Sequence, residues 1–408
     1  MIPVADAVQR IVSSIERLPN ETISLNDGLG RVLAKDLVAR RTQPPFSVSA
    51  MDGYAVIASE TNSELPVSLK VIGTIPAGQK FSGYLSKGQA VRIFTGARMP
   101  TNADAVVIQE NTIFDSKTKM VVLNESVKTG NYVRSKGLDF SLGDMVLTAG
   151  MELNPRRLAL AAAMNIPWLD VVRRPQVAII SSGDEIVLPG DPIGENQIVS
   201  SNGIALVAAI KSFGGIPIQV GIARDNRQSL LDAVSSSKGA DLLITTGGAS
   251  VGEHDLVKEV LSELGLELDF WKIAMRPGKP LMFGALSDTK VIGLPGNPVS
   301  SLICAQIFVR PAINKMLGIN NDPQEAKIYA RLVNALGPND ERQDYLRASL
   351  SRAGDGTAEV KVFNKQDSSM GSLLAKADCL VIRKPNAPCA SIGDFIEVLQ
   401  LNKARRSI

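Results

Sequence analysis

The chain has 408 residues, 45% of them hydrophobic and 21% charged, an ordinary globular composition that excludes long disorder and fibrous repeats and leaves room for two to four domains at roughly 150 residues each. A net charge of +3 and 4% aromatic residues supply neither the basic field nor the stacking platform of a nucleic-acid binder. The one histidine excludes multi-histidine metal sites and most histidine-triad chemistry. Cys304, Cys379 and Cys389 show no CxxC spacing, which fits a reducing, cytoplasmic compartment without disulfides or a thiolate zinc site. Asp6 and Arg10 argue against a signal peptide, and the most apolar stretch, Leu158 to Leu169, holds Asn165 and Pro167 and is too short to span a membrane.

Val4, Val8, Ile11, Val12 and Ile15 recur at helical spacing and predict a helix over 3–17, stopped by Pro19. From about 37 to 144 the grammar becomes β-rich, with short runs at Val67–Ile72, Ala90–Phe94, Ala105–Gln109 and Met120–Leu123. Asn154-Pro155 opens a second helix that Pro167 closes. Residues 1–36 and 145–173 therefore read as one elongated helical unit, suited to dimerisation, with a β-rich domain inserted at 37–144.

From 174 to 322 strands alternate with helices. The continuous apolar run Val177–Ser181 is what a parallel strand buried on both faces requires. A helix near 202–213 ends at Gly214-Gly215. Strands follow at Ile216–Ile222, Asp241–Thr246, 268–273, 280–285 and 290–294, with helices at 226–237, His254–Leu264 and Val299–Met316. This predicts an open, mostly parallel α/β sheet. After Gly318 the short strands Ala326–Val333, Tyr345–Leu350, Ala358–Val362, Cys379–Arg383 and Phe395–Leu399 predict a small β barrel over 323–408.

Open parallel sheets bind ligands beyond the carboxyl ends of their strands. The loops there carry Ser182-Gly183-Asp184-Glu185, Arg224-Asp225-Asn226, Gly247-Gly248-Ala249-Ser250 through Asp255, Arg276-Pro277-Gly278-Lys279-Pro280 and Pro295-Gly296-Asn297-Pro298. Gly247-Gly248 and Ser250 ahead of a helix let backbone amides approach an anion. Asp184, Glu185, Asp225 and Asp255 are hard oxygen donors suited to Mg²⁺ shared with phosphates. Lys272, Arg276 and Lys279 can neutralise further oxyanion charge. Blander readings stand beside each: a plain glycine turn, an acidic helix cap, a solvated basic turn, a structural His254, a core Cys304. The chain has no Walker pattern and no GxGxxG after a strand.

Ser49-Ala50-Met51-Asp52-Gly53-Tyr54-Ala55, Ile93-Phe94-Thr95-Gly96-Ala97, Ile180 to Glu185, Gly247 to Gly252, Pro277-Gly278-Lys279-Pro280 and Leu294 to Ser300 occur in this order. Together they resemble the molybdopterin molybdenumtransferase family, MoeA, related to the gephyrin E domain. The resemblance covers essentially the whole chain. It implies a four-part protomer with a MogA-like central domain, and a homodimer whose active site is shared between protomers. It implies insertion of molybdate into adenylylated molybdopterin, with Mg²⁺-dependent hydrolysis releasing AMP, and a molybdopterin adenylyltransferase as upstream partner. Carried over by position, it implies catalytic or metal-holding roles for Asp52, Asp139, Glu185, Asp225 and Asp255. Lys272, Arg276 and Lys279 match its basic positions. The pocket would take Thr95, Arg134, Ser182, Gly247, Gly248, Ser250, Pro295, Asn297 and Pro298, with Arg347, Ser368 and Ser369 helping to hold molybdate. This chain departs from the family pattern at Arg276, where many members have Lys, at Glu253-His254-Asp255, and at Asp367, where glycine is frequent. Two other activities fit the same fold: adenylylation of molybdopterin from ATP, and a non-catalytic scaffold.

Overall fold

The computed structural model describes residues 1–62, 64–247, 256–319 and 327–401. They divide into two compact units. One comprises Met1–Lys35, Ala149–Pro155 and Asp170–Ile408, and the other Asp36–Thr148 and Arg156–Leu169. The four-part division expected from the sequence is finer than this.

In the first unit the central sheet has six strands, ordered Ile216–Ala223, Gln176–Ser182, Leu242–Thr246, Thr289–Leu294, Met282–Leu286, Leu266–Trp271. The first four are parallel, Met282–Leu286 runs antiparallel to them, and Leu266–Trp271, antiparallel to Met282–Leu286, runs with the first four again. Burial on both faces explains the unbroken apolar runs. Val177, Ile179, Leu242, Ile244 and Ile292 enter one core, while Ala178, Ile180, Leu243 and Val291 enter the other. Helices Val4–Ser13 and Asn202–Phe213 cover the first face through Ala7, Ile11, Leu206 and Ile210. Helices Arg227–Ser236 and Leu256–Glu263 cover the second through Leu230, Val234, Val257 and Leu261.

Boundaries follow local chemistry. The first helix stops at Ser13, short of the expected residue 17. The Ser13 and Ser14 hydroxyls donate back to the Arg10 and Ile11 carbonyls and compete with the helix ladder. Gly214 ends its helix at φ +95°, which suits glycine alone. The single helix expected from Val299 is three segments: Pro298–Cys304, a widened π turn at Ala305–Val309, and Arg310–Met316. Pro311 cannot donate to the carbonyl four residues back, and its ring crowds it.

The C-terminal strands close into a five-stranded barrel in the order Gln343–Arg352, Ala358–Val362, Lys327–Leu332, Phe395–Gln400, Cys379–Arg383, the last pairing back to the first. Its core is Ala330, Leu332, Ala348, Val360, Cys379 and Val398.

The second unit holds a six-stranded sheet ordered Ala105–Ile108, Gly53–Val56, Gln89–Ile93, Val67–Ile75, Met120–Leu123, Thr112–Asp115. Leu37–Val38 pairs with Met145–Leu147, and Val48–Ser49 with Val133–Arg134. No helix among the described residues is long and apolar enough to cross a membrane.

Candidate functional site

The parallel strands end level with one another. Ser182 is opposite Ala223, Ser181 opposite Thr246, and Thr246 opposite Leu294. At this edge three stretches of bare backbone meet. Gly247 has φ +89°, and a Cβ there would lie 2.2 Å from the Ser182 carbonyl oxygen. A Cβ on Gly296 would lie 3.4 Å from the Gly247 Cα. Asn202, which opens its helix, ties the floor together: its amide donates to Thr246 Oγ1 at 3.0 Å and to the Gly296 carbonyl at 2.7 Å. The Ser182 hydroxyl is buried beside them with no partner among the described residues. Gly248, Ser250 and Asp255 lie outside the described residues.

Three acids gather at the first two strand ends. The Asp225 amide donates to Asp184 Oδ1 at 3.1 Å, and the Asp184 amide to Asp225 Oδ2 at 3.4 Å. Gly183 leaves room for the Glu185 carboxylate, whose Oε2 lies 2.4 Å from where a Cβ would sit. Burial raises the Asp225 pKa above its ordinary value, and the charges of Asp184 and Glu185 push the same way, against the lowering effect of the Asp184 amide. No set of three His, Cys, Asp or Glu among the described residues forms a metal cage. Two of these carboxylates nevertheless suffice for a cation that shares phosphate oxygens.

The cationic turn lies between Leu266–Trp271 and Met282–Leu286. Trp271 is opposite Met282, which is opposite Gly293, so the turn projects from the same edge. Lys272 adopts φ +72°, uncommon for a residue with a side chain. Its ammonium lies 4.1 Å from the Trp271 ring centroid, and that of Lys258 lies 4.2 Å from it. Gly278 packs against Cys304, whose Sγ is 2.5 Å from where a Cβ would sit. Lys279 is exposed. Arg276 is held by the barrel: its guanidinium donates to Asp340, Asn339 and Asp344.

The barrel reaches the edge through residues 366–370. Asn297 Nδ2 donates to Ser368 Oγ at 2.9 Å, and the Val299 amide to the Ser368 carbonyl at 3.2 Å. Pro295 and Pro298 flank that contact in sequence, Pro298 as the first helical residue. Ser369 instead turns to Asp367, which accepts from both its amide and its hydroxyl. The departure at 367 thus occupies the serine. Arg347 is 1% exposed and donates to Gln366 and to the Met370 carbonyl. Its Nη2 has no partner among the described residues. Burial lowers its pKa, opposed by the nearby Asp367.

The second unit carries its own group. Asp52 Oδ1 accepts from both the amide and the hydroxyl of Thr95 at 2.7 Å. These two bonds, and then Arg92, hold its carboxyl below the ordinary range. Gly53 allows this loop to sit tight, since a Cβ would lie 2.0 Å from the Val107 carbonyl oxygen. Arg134 is exposed on the strand that pairs with Val48–Ser49, just before Asp52. Asp139 is exposed, its amide bonded to the Gln43 carbonyl, and no hydrogen bond joins it to Asp52 or Thr95.

Sequence reasoning missed Asn202 and Gln366, and placed Thr246 only as the first residue of the glycine loop. Only Asn202 carried a signal, as a polar residue opening a helix after a strand-end loop.

Three family descriptions match the chain in order: "MoeA N-terminal region (domain I and II)" over 2–165, "Probable molybdopterin binding domain" over 178–315, and "MoeA C-terminal region (domain IV)" over 329–401. A molybdopterin molybdenumtransferase from Nostoc sp. is 36% identical, over 98% of this chain and 94% of the relative. One from Haemophilus influenzae is 33% identical, over 95% and 96%. The chain belongs to the molybdopterin molybdenumtransferase (MoeA) family. A solved structure of a molybdopterin biosynthesis moeA protein from Pyrococcus horikoshii OT3 matches with a TM-score of 0.84 and 27% identity, over 98% of this chain and 100% of that one. The parallel sheet and closed barrel therefore have the family's architecture.

Proposed function

We propose that this chain is a molybdopterin molybdenumtransferase that inserts molybdate into adenylylated molybdopterin and releases AMP and molybdenum cofactor. The observation that carries this is the strand-end edge. Bare backbone at Ser182, Gly247 and Gly296, the acids Glu185 and Asp225, and the Lys272–Lys279 turn converge there, joined to the barrel through Asn297 and Ser368. The names of the relatives support the substrate class.

The chemistry needs two anions side by side, a phosphate group and a tetrahedral metal oxyanion, which repel unless cations offset them. Lys272 and Lys279 have no carboxylate partner among the described residues, so their charge is available to substrate. The Nη2 of Arg347 is a buried donor that an oxyanion would satisfy. The crowded Glu185 and Asp225 fit a divalent cation, since a positive charge would relieve the repulsion on Asp225. Mg²⁺ held there would polarise the phosphate linkage that water opens. The glycine floor at Gly247 and Gly296 would admit the pterin phosphate.

The protein would act as a homodimer in the cytoplasm, supplied by a molybdopterin adenylyltransferase. In the dimer Asp52, Thr95, Arg134 and Asp139 of one protomer would complete the edge of the other. The test mixes purified protein with adenylylated molybdopterin, Mg²⁺ and molybdate. AMP release together with reactivation of a molybdenum-free apoenzyme is expected. Absence of both would refute the reading, and ATP consumption without molybdate would instead mark an adenylyltransferase.

A further inference from the structure

Arg276 spends its donors on one neighbour. Nη1 reaches Asp340 at 3.1 Å, and Nη2 reaches Asn339 at 3.1 Å and also Asp344. Asn339 and Asp340 lie just before the barrel strand Gln343–Arg352, and Asp344 lies within it. The backbone makes the same join: Met275–Arg276 runs parallel to Gln343–Asp344, and the Gln343 amide donates to the Ala274 carbonyl at 2.9 Å. Arg342 adds a second cation on Asp340. Two arginines and two aspartates make a neutral quartet, which exerts little net pull on an oxyanion. Asp344 is 4% exposed, and its Oδ1 has no partner among the described residues. Its charge therefore depends on Arg276, because a buried carboxylate without its cation is strongly destabilising.

We propose that Arg276 is a positioning residue, clamping the turn 272–281 to the barrel through Asp344 and Asp340 and so fixing Lys272 and Lys279 at the sheet edge. A lysine would meet one acid as a point charge, whereas the guanidinium fork spans both. The proposal rests on the reading that those two lysines serve the transfer reaction.

The test is a cycle of Arg276→Gln, Asp344→Asn and the double variant, with turnover and hydrogen exchange of residues 272–281 measured in each. Arg276→Gln should lower kcat about tenfold and speed exchange of the turn, with KM for molybdate within about twofold of the parent. The double variant, whose two neutral amides can bond each other, should recover much of both losses. A raised KM for molybdate with unchanged exchange, and no recovery in the double variant, would overturn the clamp and make Arg276 an anion contact. If Arg276→Gln does not fold, Arg276→Lys takes its place: intermediate exchange supports the clamp, and parental exchange with raised KM overturns it. If even the parent protein lacks turnover, the transfer reading fails on its own. Exchange then decides the clamp, and an unchanged rate in the arginine variant refutes it.

Discussion

At the scale of single residues, the acids at the strand ends were legible because each follows an apolar run that had to stop at the sheet edge. What each one bonds was not. Asp367, two residues before Ser369, takes that hydroxyl, and Arg276 finds Asp344 sixty-eight positions away. Such pairings depend on packing, which a single sequence does not display. Asp225 carries the clearest pH consequence. Its folded pKa is raised, so it is an acid that folding prefers protonated. Its penalty is present above that folded value and disappears as pH falls through it. Asp225→Asn should therefore raise Tm at neutral pH without Mg²⁺, by roughly 1–2 °C, and abolish any further rise on adding Mg²⁺. A lower Tm in the variant would contradict the assignment. The thiols give an independent check. Cys304 and Cys379 are buried, which pushes the Cys304 thiol upward and that of Cys379 to about 12, while Cys389 is exposed. A disulfide reagent at about pH 8 should titrate one thiol in the native chain and three after denaturation.

At the scale of elements, the parallel strands were readable because burial on both faces removes the alternation that a half-exposed strand would show. The pairing of Asn20–Ser24 with Trp168–Val172 was not, because no local pattern encodes a partner so distant in the chain. Nor was the widened turn at Ala305–Val309 expected, although Pro311 contained its cause. The strand Gly53–Val56 shows how an element can set a functional side chain. It lies so close to Ala105–Ile108 that a Cβ at 53 would sit 2.0 Å from the Val107 oxygen. Gly53→Ala should force the two strands apart at a cost of about 1–3 kcal/mol and carry Asp52 away from Thr95. A lowered urea midpoint with an unchanged m-value, together with reduced turnover, is expected. Full stability in the variant would show that the strands have slack.

At the scale of the whole molecule, the repeated strand-helix alternation announced the sheet, while the change of grammar near residues 37 and 145 is the ground for expecting an inserted domain. The grouping of residues 156–169 with the inserted unit was not announced. If each site takes Asp52 from one protomer and Lys279 from the other, Asp52→Asn and Lys279→Ala should each abolish turnover. Mixed and re-equilibrated in equal amounts, they should regain about a quarter of it, since half the dimers are mixed and each holds one intact site. No recovery would place both residues in a site belonging to one chain. The insertion has a further consequence. Leu37–Val38 lies antiparallel to Met145–Leu147, with the Ala39 amide on the Asp144 carbonyl at 2.9 Å. The chain thus departs and comes back through a neck one strand spacing wide, about 5 Å. The region beyond the neck enters and leaves the chain at one place, so a loop of a few residues would span the cut there, but its removal would strip Arg156–Leu169 of the packing that begins with the Arg40 amide on the Met164 carbonyl at 3.2 Å.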